Sequence, residues 1–125
     1  MLKQAAAAIG MLMTGLTAGN GLAQDGDPAA GEKVFRQCQA CHVIDAEQNR
    51  VGPHLVGIIG RPAGAVESFK YSDAMANSGI VWDEATIAEY LANPRSYVEG
   101  NRMAFAGLRN EQQIADVIAY IQSQM

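Results

Sequence analysis

The chain has 125 residues, of which 49% are hydrophobic and 18% charged, and its formal net charge is -4 at pH 7. This length supports one small domain, and the hydrophobic fraction excludes a disordered chain. The acidic balance excludes a general nucleic-acid binder, and two cysteines are too few for a disulfide-stapled mini-protein.

The first 23 residues are predicted to be a signal peptide that is cleaved off. Lys3 precedes an apolar stretch from Ala5 to about Ala18, and Gly21-Leu22-Ala23 has small residues at the positions that signal peptidase reads. The alternative, a membrane anchor, needs about 20 continuous apolar residues, whereas this stretch is shorter and broken by glycine. We therefore expect cleavage after Ala23 and no stable membrane insertion.

The first half of the remaining chain is predicted to hold little regular structure. Residues 24–28 are expected to form a short mobile acidic tail, and a helix should begin near Ala29 and run into Cys38. Glycine and proline then interrupt every stretch from about Val43 to Lys70, so no long element is expected there. A short helix is predicted from Ser72 to Ser78.

The second half is predicted to contain two further helices. Asp83 is a good N-cap for a helix from Glu84 to about Asn93 that Pro94 ends, and a loop from Pro94 to Leu108 follows. The last helix should begin at Asn110, with apolar residues at helical spacing: Ile114, Val117, Ile118 and Ile121. No strand pattern is present, so the fold class is all-α, with three main helices and long loops that indicate a large buried cofactor.

The sequence Cys38-Gln39-Ala40-Cys41-His42 has the C-x-x-C-H spacing of covalent haem attachment. In such sites two thiols form thioethers with the haem and the histidine binds the iron. A thioredoxin-like dithiol is the first alternative, but it requires an α/β context that the chain lacks. A structural zinc site is the second, but it needs four ligands, and His54 is the only further candidate.

A second axial ligand for the iron must come from elsewhere in the chain. The candidates in the mature sequence are His54, Met75, Met103 and Met125. Met125 is terminal, and a buried methionine in a helix, such as Met75, is most often core filler. Met103 lies in a loop bracketed by glycines, and loops carry ligands more often than core packing. Residue type therefore favours Met103 and leaves Met75 open.

Over residues 29–125 the chain resembles the class I cytochromes c, in particular the branch of bacterial cytochrome c2 and mitochondrial cytochrome c. The matching motifs occur in the family's order. They are Gly31 and Phe35, the C-x-x-C-H sequence, Gly52-Pro53-His54-Leu55, Gly60-Arg61, Tyr71-Ser72-Asp73-Ala74, Gly79-Ile80-Val81-Trp82, Tyr90-Leu91-Ala92-Asn93-Pro94, Asn101-Arg102-Met103-Ala104-Phe105 and Ala119-Tyr120. The resemblance implies a class I cytochrome c fold wrapped around one haem c.

The resemblance also implies a role for each matching residue. Cys38 and Cys41 would form the thioethers, and His42 and Met103 would be the axial ligands of the iron. The Pro53 carbonyl would accept a hydrogen bond from His42, and the Tyr90 hydroxyl would lie beside the Met103 sulfur. The haem propionates would be held by four side chains: Arg61, Tyr71, Trp82 and Asn101.

The function implied is that of a periplasmic one-electron carrier and not an enzyme. Its donor would be a cytochrome bc1 complex and its acceptor a terminal oxidase or a photosynthetic reaction centre. The protein would be a monomer that docks transiently with each of them. An arginine patch around the haem edge would dock these partners: Arg36, Arg95, Arg102 and Arg109, close to Phe105. The alternative is a small peroxidase-like haem enzyme or ligand sensor, which requires a labile sixth ligand.

Overall fold

A computed structural model describes residues 25–125, so the expected signal peptide lies outside the described residues. This range forms five helices: α1 (Pro28–Phe35), α2 (Asp73–Ala76), α3 (Glu84–Ala92), α4 (Pro94–Tyr97) and α5 (Glu111–Ser123). Extended pairing in this range is limited to an isolated antiparallel bridge between Pro62 and Val81. The predicted all-α class with long loops is confirmed.

Helix α1 begins as expected and ends earlier than predicted. The Asp27 side chain accepts a hydrogen bond from the Ala29 N–H, and Pro28 occupies the first turn, where its missing N–H costs nothing. After Phe35 the chain turns, because the Cys38 and Gln39 N–H groups both donate to the Phe35 carbonyl. The predicted continuation of this helix into Cys38 is therefore wrong.

Helix α3 confirms the prediction, and the loop predicted after it is only partly correct. Asp83 and Thr86 each accept a hydrogen bond from the other's backbone N–H, both at 2.8 Å. Pro94 ends α3, but it also opens α4, because proline suits a first helical turn and the Asn93 side chain caps Ser96. The prediction of an uninterrupted loop from Pro94 missed this helix.

Helix α5 forms the centre of the fold. Its predicted N-cap, Asn110, accepts from the Gln113 N–H at 3.0 Å, and the four predicted apolar residues are buried. Helix α1 crosses it so closely that a methyl group on Gly31 would clash with the Asp116 carbonyl. The rings of Phe35 and Tyr120 lie 5.2 Å apart at the same crossing. The two ends of the domain are thereby joined.

Residues 25–27, expected to be mobile, lie against α5. The Asp27 N–H donates to the Asp116 carboxylate at 2.8 Å, and Gln112 donates to the same oxygen at 2.8 Å. A methyl group on Gly26 would clash with the Ala115 carbonyl. Asp116 is only 8% exposed, and a buried carboxylate needs hydrogen-bond partners, which this segment supplies. These contacts give residues 25–27 a defined position against α5.

The remaining core joins the loops to α3 and α5. Its buried members in the loops are Ile44, Ile58, Trp82, Val98 and Leu108. Between residues 25 and 125, none of the helices is both long and apolar enough to cross a membrane. The long loops between α1 and α3 and between α4 and α5 carry most of the residues that the sequence marks as functional.

Candidate functional site

The two cysteines lie in the turn that follows α1. The N–H groups of Cys41 and His42 both donate to the Cys38 carbonyl, at 3.1 and 2.9 Å. Both thiols are half-buried, and neither forms a disulfide within the described residues. Burial, reinforced by Cys41, raises the pKa of Cys38 to about 11. A redox dithiol relies on a lowered pKa and an accessible thiolate, so the thioredoxin-like alternative does not fit this turn.

The His42 ring is oriented by the residues at Gly52 and Pro53. Its Nδ1 lies 2.7 Å from the Pro53 carbonyl, which can only accept, so Nδ1 carries the proton and Nε2 keeps its lone pair. Burial is the main cause that lowers the pKa of His42; Arg61 acts in the same direction and the Pro53 bond opposes it. The imidazole is thereby held in the neutral form that binds metals.

Gly52 belongs to a matching motif but was given no role, and the structure shows that it is a site residue. A methyl group there would clash with the His42 imidazole, so the ring lies directly on the Gly52 backbone. The Gly52 N–H donates to the Cys41 carbonyl at 2.9 Å and fixes this contact. The available signal in the sequence was that Gly52 directly precedes Pro53, whose carbonyl accepts a hydrogen bond from His42.

Met103 lies in the loop between α4 and α5. The Tyr90 hydroxyl of α3 donates to the Met103 sulfur at 3.7 Å, as the resemblance implied. Burial raises the pKa of Tyr90 to about 12, so the phenol remains a donor at neutral pH. The Trp82 ring packs against Tyr90 with centroids 5.0 Å apart and limits its movement. The sulfur is therefore held by a fixed hydroxyl.

Asn101 does not have the role that the resemblance implied. Its amide nitrogen donates to the carbonyls of Pro94 and Val98, each at 2.8 Å, and its oxygen accepts from the Met103 N–H at 2.9 Å. An amide nitrogen has two hydrogens, and both are used. Asn101 therefore has no donor left for a propionate, and it fixes the Met103 backbone instead.

Arg61 lies next to Trp82 and near Tyr71. The backbone N–H of Trp82 donates to the Arg61 carbonyl at 2.9 Å. The Tyr71 hydroxyl accepts from the Val66 N–H at 3.2 Å and keeps its own proton to donate. The Trp82 indole N–H makes no hydrogen bond within residues 25–125, and the residue is only 7% exposed. The Tyr71 hydroxyl and the Trp82 indole therefore remain donors that a bound group could use.

The Arg61 side chain gives the clearest sign of a missing anionic partner. Its Nη1 donates to the Val56 carbonyl at 3.2 Å, but its Nε is buried and has no partner within the described residues. Burial lowers the pKa of Arg61, and nearby Tyr71 opposes that effect. A buried guanidinium nitrogen is costly unless it is paired, and a carboxylate is its best partner. The site therefore fits a bound group that carries carboxylates.

The structure also shows the contacts of the other candidate ligands. His54 is half-buried, and its Nδ1 accepts a hydrogen bond from the Val56 N–H at 3.2 Å. Met75 packs against the core. No group of three or more His, Cys, Asp or Glu side chains in the described part of the chain could hold a metal ion, so a zinc site has no support there.

The predicted docking residues fall into two groups. Arg36, Arg95 and Arg109 are exposed and make no side-chain hydrogen bond within residues 25–125. Arg102 is also exposed, but its Nη2 donates to the Lys70 carbonyl at 3.0 Å, a contact that the sequence did not suggest. Phe105 is half-buried and packs against the core.

Comparisons with known proteins agree with this geometry. A family model described as Cytochrome c matches residues 28–124. Cytochrome c2 iso-2 of Magnetospirillum fulvum is 50% identical over 90 residues, which cover 72% of this chain and 94% of that protein. Cytochrome c type-1 of Ascaris suum is 48% identical over 101 residues, covering 80% and 90%.

A solved structure matches as well. Cytochrome cH from Methylobacterium extorquens has a TM-score of 0.74 and 42% sequence identity, and the match covers 78% of this chain and 99% of that one. The family match includes the cysteine turn, His42, Arg61 and Met103.

Proposed function

This chain belongs to the cytochrome c family, and we propose that it is a periplasmic shuttle that carries one electron at a time. It is an electron-transfer protein and not an enzyme, and it carries covalently attached haem c. The haem supplies an iron that alternates between the ferrous and ferric states. The protein's own part is to bind that group, orient its ligands and exclude water from it.

In this proposal His42 and Met103 would be the axial ligands, and Cys38 and Cys41 would form the thioethers. Pro53 keeps the neutral His42 ring in one tautomer, which leaves Nε2 for the iron. Arg61, Tyr71 and Trp82 would hold the propionates, and the unpartnered Arg61 Nε supports this assignment.

The observation that carries the proposal is the hydrogen bond from Tyr90 to the Met103 sulfur. A thioether sulfur that accepts one hydrogen bond still has a lone pair to bind iron. Because the Tyr90 hydroxyl keeps the sulfur in place, Met103 can remain bound to the iron in both oxidation states. Two protein ligands leave no open position for a substrate, and a neutral thioether favours ferrous iron and raises the reduction potential.

The relatives named cytochrome c2 support the role of an electron carrier, whereas the compartment and the partners that we propose rest on the predicted signal peptide and on the family resemblance. The predicted signal peptide, residues 1–23, would direct the chain to the periplasm. The mature protein would act there as a monomer. Its donor would be a cytochrome bc1 complex, and its acceptor a terminal oxidase or a photosynthetic reaction centre. The exposed arginines Arg36, Arg95 and Arg109 would form part of the docking surface.

Replacing the proposed ligand tests the function. We expect Met103→Ala to abolish the weak red absorption band of methionine-ligated ferric haem, to admit azide and carbon monoxide, and to lower the midpoint potential by on the order of 0.1 V or more. Spectra during a redox titration of the purified holoprotein measure all three changes.

Met75→Leu is the matched control, because Met75 is the other internal methionine among the candidate ligands and packs against the same core. This variant should keep the red band, and its iron should still not bind azide or carbon monoxide. A red band that survives in Met103→Ala, or disappears in Met75→Leu, would refute ligation by Met103.

A further inference from the structure

The backbone of Trp82 is paired with the backbone around Arg61. The N–H of Trp82 donates to the Arg61 carbonyl at 2.9 Å, and the N–H of Gly60 donates to the Trp82 carbonyl at 2.6 Å. The isolated bridge between Pro62 and Val81 adjoins these two bonds. The two bonds use one side of the two peptide groups that flank Trp82, and they hold Trp82 next to Arg61.

The other side of the same two peptide groups is bound by a single hydroxyl, that of Thr86. The Asp83 N–H, in the peptide group after Trp82, donates to Thr86 Oγ1 at 2.8 Å. The same oxygen lies 2.8 Å from the Val81 carbonyl, in the peptide group before Trp82. The carboxylate and the carbonyl of Asp83 lie farther from it, at 3.1 and 3.4 Å, so the hydroxyl proton is donated to Val81. All four backbone N–H and C=O groups of these two peptide groups are therefore bonded.

A hydroxyl is suited to this position because one atom both donates and accepts. Its oxygen accepts from an N–H group while its hydrogen is donated to a carbonyl. Glutamate is common at the corresponding place of a capping box, but its carboxylate can only accept and could not bind the Val81 carbonyl. Thr86 lies in the first turn of α3, so the helix gives its hydroxyl a defined place.

We propose that Thr86 is a positioning residue whose hydroxyl fixes the Trp82 side chain beside Arg61, so that both can bind the carboxylates of one group. The inference rests on the proposed function, in which Trp82 and Arg61 hold the haem propionates. A donor bonded to a carboxylate disperses part of its negative charge. Loss of the indole donor would leave more of that charge to stabilise the ferric state.

Hydrogen exchange of the Trp82 indole N–H tests this role. Trp82 is the only tryptophan of the chain, so its indole gives one resonance in the spectrum of the reduced holoprotein. Thr86→Val keeps the branched shape and removes the hydroxyl. We expect its indole N–H to exchange roughly tenfold faster than that of the parent, beyond any change in the global unfolding constant, which is the effect of about one hydrogen bond. Thr86→Ser keeps the hydroxyl and should stay within about threefold of the parent.

Asp83→Ala is the matched control, because it breaks the other half of the same cap. Its carboxylate accepts from the Thr86 N–H at 2.8 Å, whereas both hydrogen bonds of the Thr86 hydroxyl go to backbone groups that remain. Urea unfolding gives the global unfolding constant of each variant. We expect indole exchange in Asp83→Ala to rise by no more than that constant rises.

A redox titration supplies a second readout, which helix stability alone would not move. We expect Thr86→Val to shift the one-electron equilibrium roughly threefold towards the ferric state. At about 59 mV for a tenfold change, this shift lowers the midpoint potential by about 28 mV. Thr86→Ser should keep the potential of the parent.

Indole exchange in Thr86→Val that rises only as much as its global unfolding constant would overturn the role of Thr86. An unchanged potential in Thr86→Val, or a Thr86→Ser protein that exchanges as fast as Thr86→Val, would overturn it too. A parent protein whose indole N–H exchanges as fast as a free indole would instead refute the proposed bond from Trp82 to a propionate, and this inference with it. Ligation by Met103, judged by the red band, would stand in each of these cases.

Discussion

The environment of the Arg61 side chain fits the binding of an anion. Its Nε is buried without a partner in the described chain, and burial lowers its pKa. A positive charge near the iron disfavours the ferric state, which carries the additional positive charge. Arg61 should therefore raise the reduction potential as well as bind a carboxylate.

We expect Arg61→Gln to lower the midpoint potential by some tens of millivolts, where about 59 mV corresponds to a tenfold change in a one-electron equilibrium. A redox titration followed by absorbance measures it. Arg95→Gln is the control: it removes an exposed charge, which water and salt screen, and should leave the potential nearly unchanged. A potential that rises or stays constant in Arg61→Gln would contradict this role.

At the scale of helices, side chains at the N-termini decide where each one begins. Asp27, Ser72, Asp83, Asn93 and Asn110 each accept a hydrogen bond from the first turn of the helix that follows. Such caps depend on residues close in sequence, so they can be recognised without knowing the fold. The end of α1 at Phe35 depends on the turn that places the cysteines, and no local residue marked it.

The caps of α3 and α5 differ in one testable respect, which is their response to pH. Hydrogen bonds from the Thr86 backbone and then from its hydroxyl lower the pKa of Asp83 from 3.8. A carboxyl group whose pKa is lower in the folded state stabilises the fold at pH values above its unfolded pKa. This contribution is lost as the pH falls through the folded pKa. We expect Asp83→Ala to be less stable than the parent at neutral pH, with a gap that narrows below about pH 4.

Urea unfolding at several pH values measures the gap, and Asn110→Ala serves as the control. Its amide does not titrate, so its loss of about 1 kcal/mol should stay constant across the same range. A gap for Asp83→Ala that is equally constant would show that the carboxylate's charge does not contribute.

At the scale of the whole molecule, an acidic chain has exposed arginines that the family resemblance places around the haem edge. The full sequence has a net charge of -4, yet Arg36, Arg95 and Arg109 are exposed and make no side-chain hydrogen bond in the described chain. Local charge decides encounter, because charges beyond about 8 Å are largely screened at physiological ionic strength. A local positive patch can therefore steer an acidic partner towards an acidic protein.

Arg109→Glu should slow electron transfer with a cytochrome bc1 complex several-fold at about 10 mM salt, and the difference should shrink at about 150 mM. Stopped-flow rates against ionic strength measure both. Lys33→Glu makes the same charge change on α1, outside the proposed docking surface, and should have a smaller effect. Equal effects of the two reversals, or rates that do not depend on salt, would argue against an arginine docking surface.

Much of the site could be predicted where the chemistry is local. The thioether cysteines and His42 are adjacent, and the family resemblance placed Pro53 and Tyr90, whose contacts with His42 and Met103 the structure contains. Asn101 was assigned a wrong partner because its type does not reveal that two backbone carbonyls take both of its N–H groups. Gly52 and the Arg102 bond to Lys70 were missed because both depend on segments that meet only after folding.

The sequence by itself determined the helical class, most of the helix starts and the haem-attaching cysteine turn, because caps, periodicity and C-x-x-C-H spacing act between near neighbours. Only the tertiary structure decided other contacts between distant groups: Gly52 with the His42 ring, Asn101 with the Pro94 and Val98 carbonyls, and Arg102 with the Lys70 carbonyl. The physical reason is that hydrogen bonds and packing between loops depend on distances of a few ångströms, which the separation of residues along the chain does not specify.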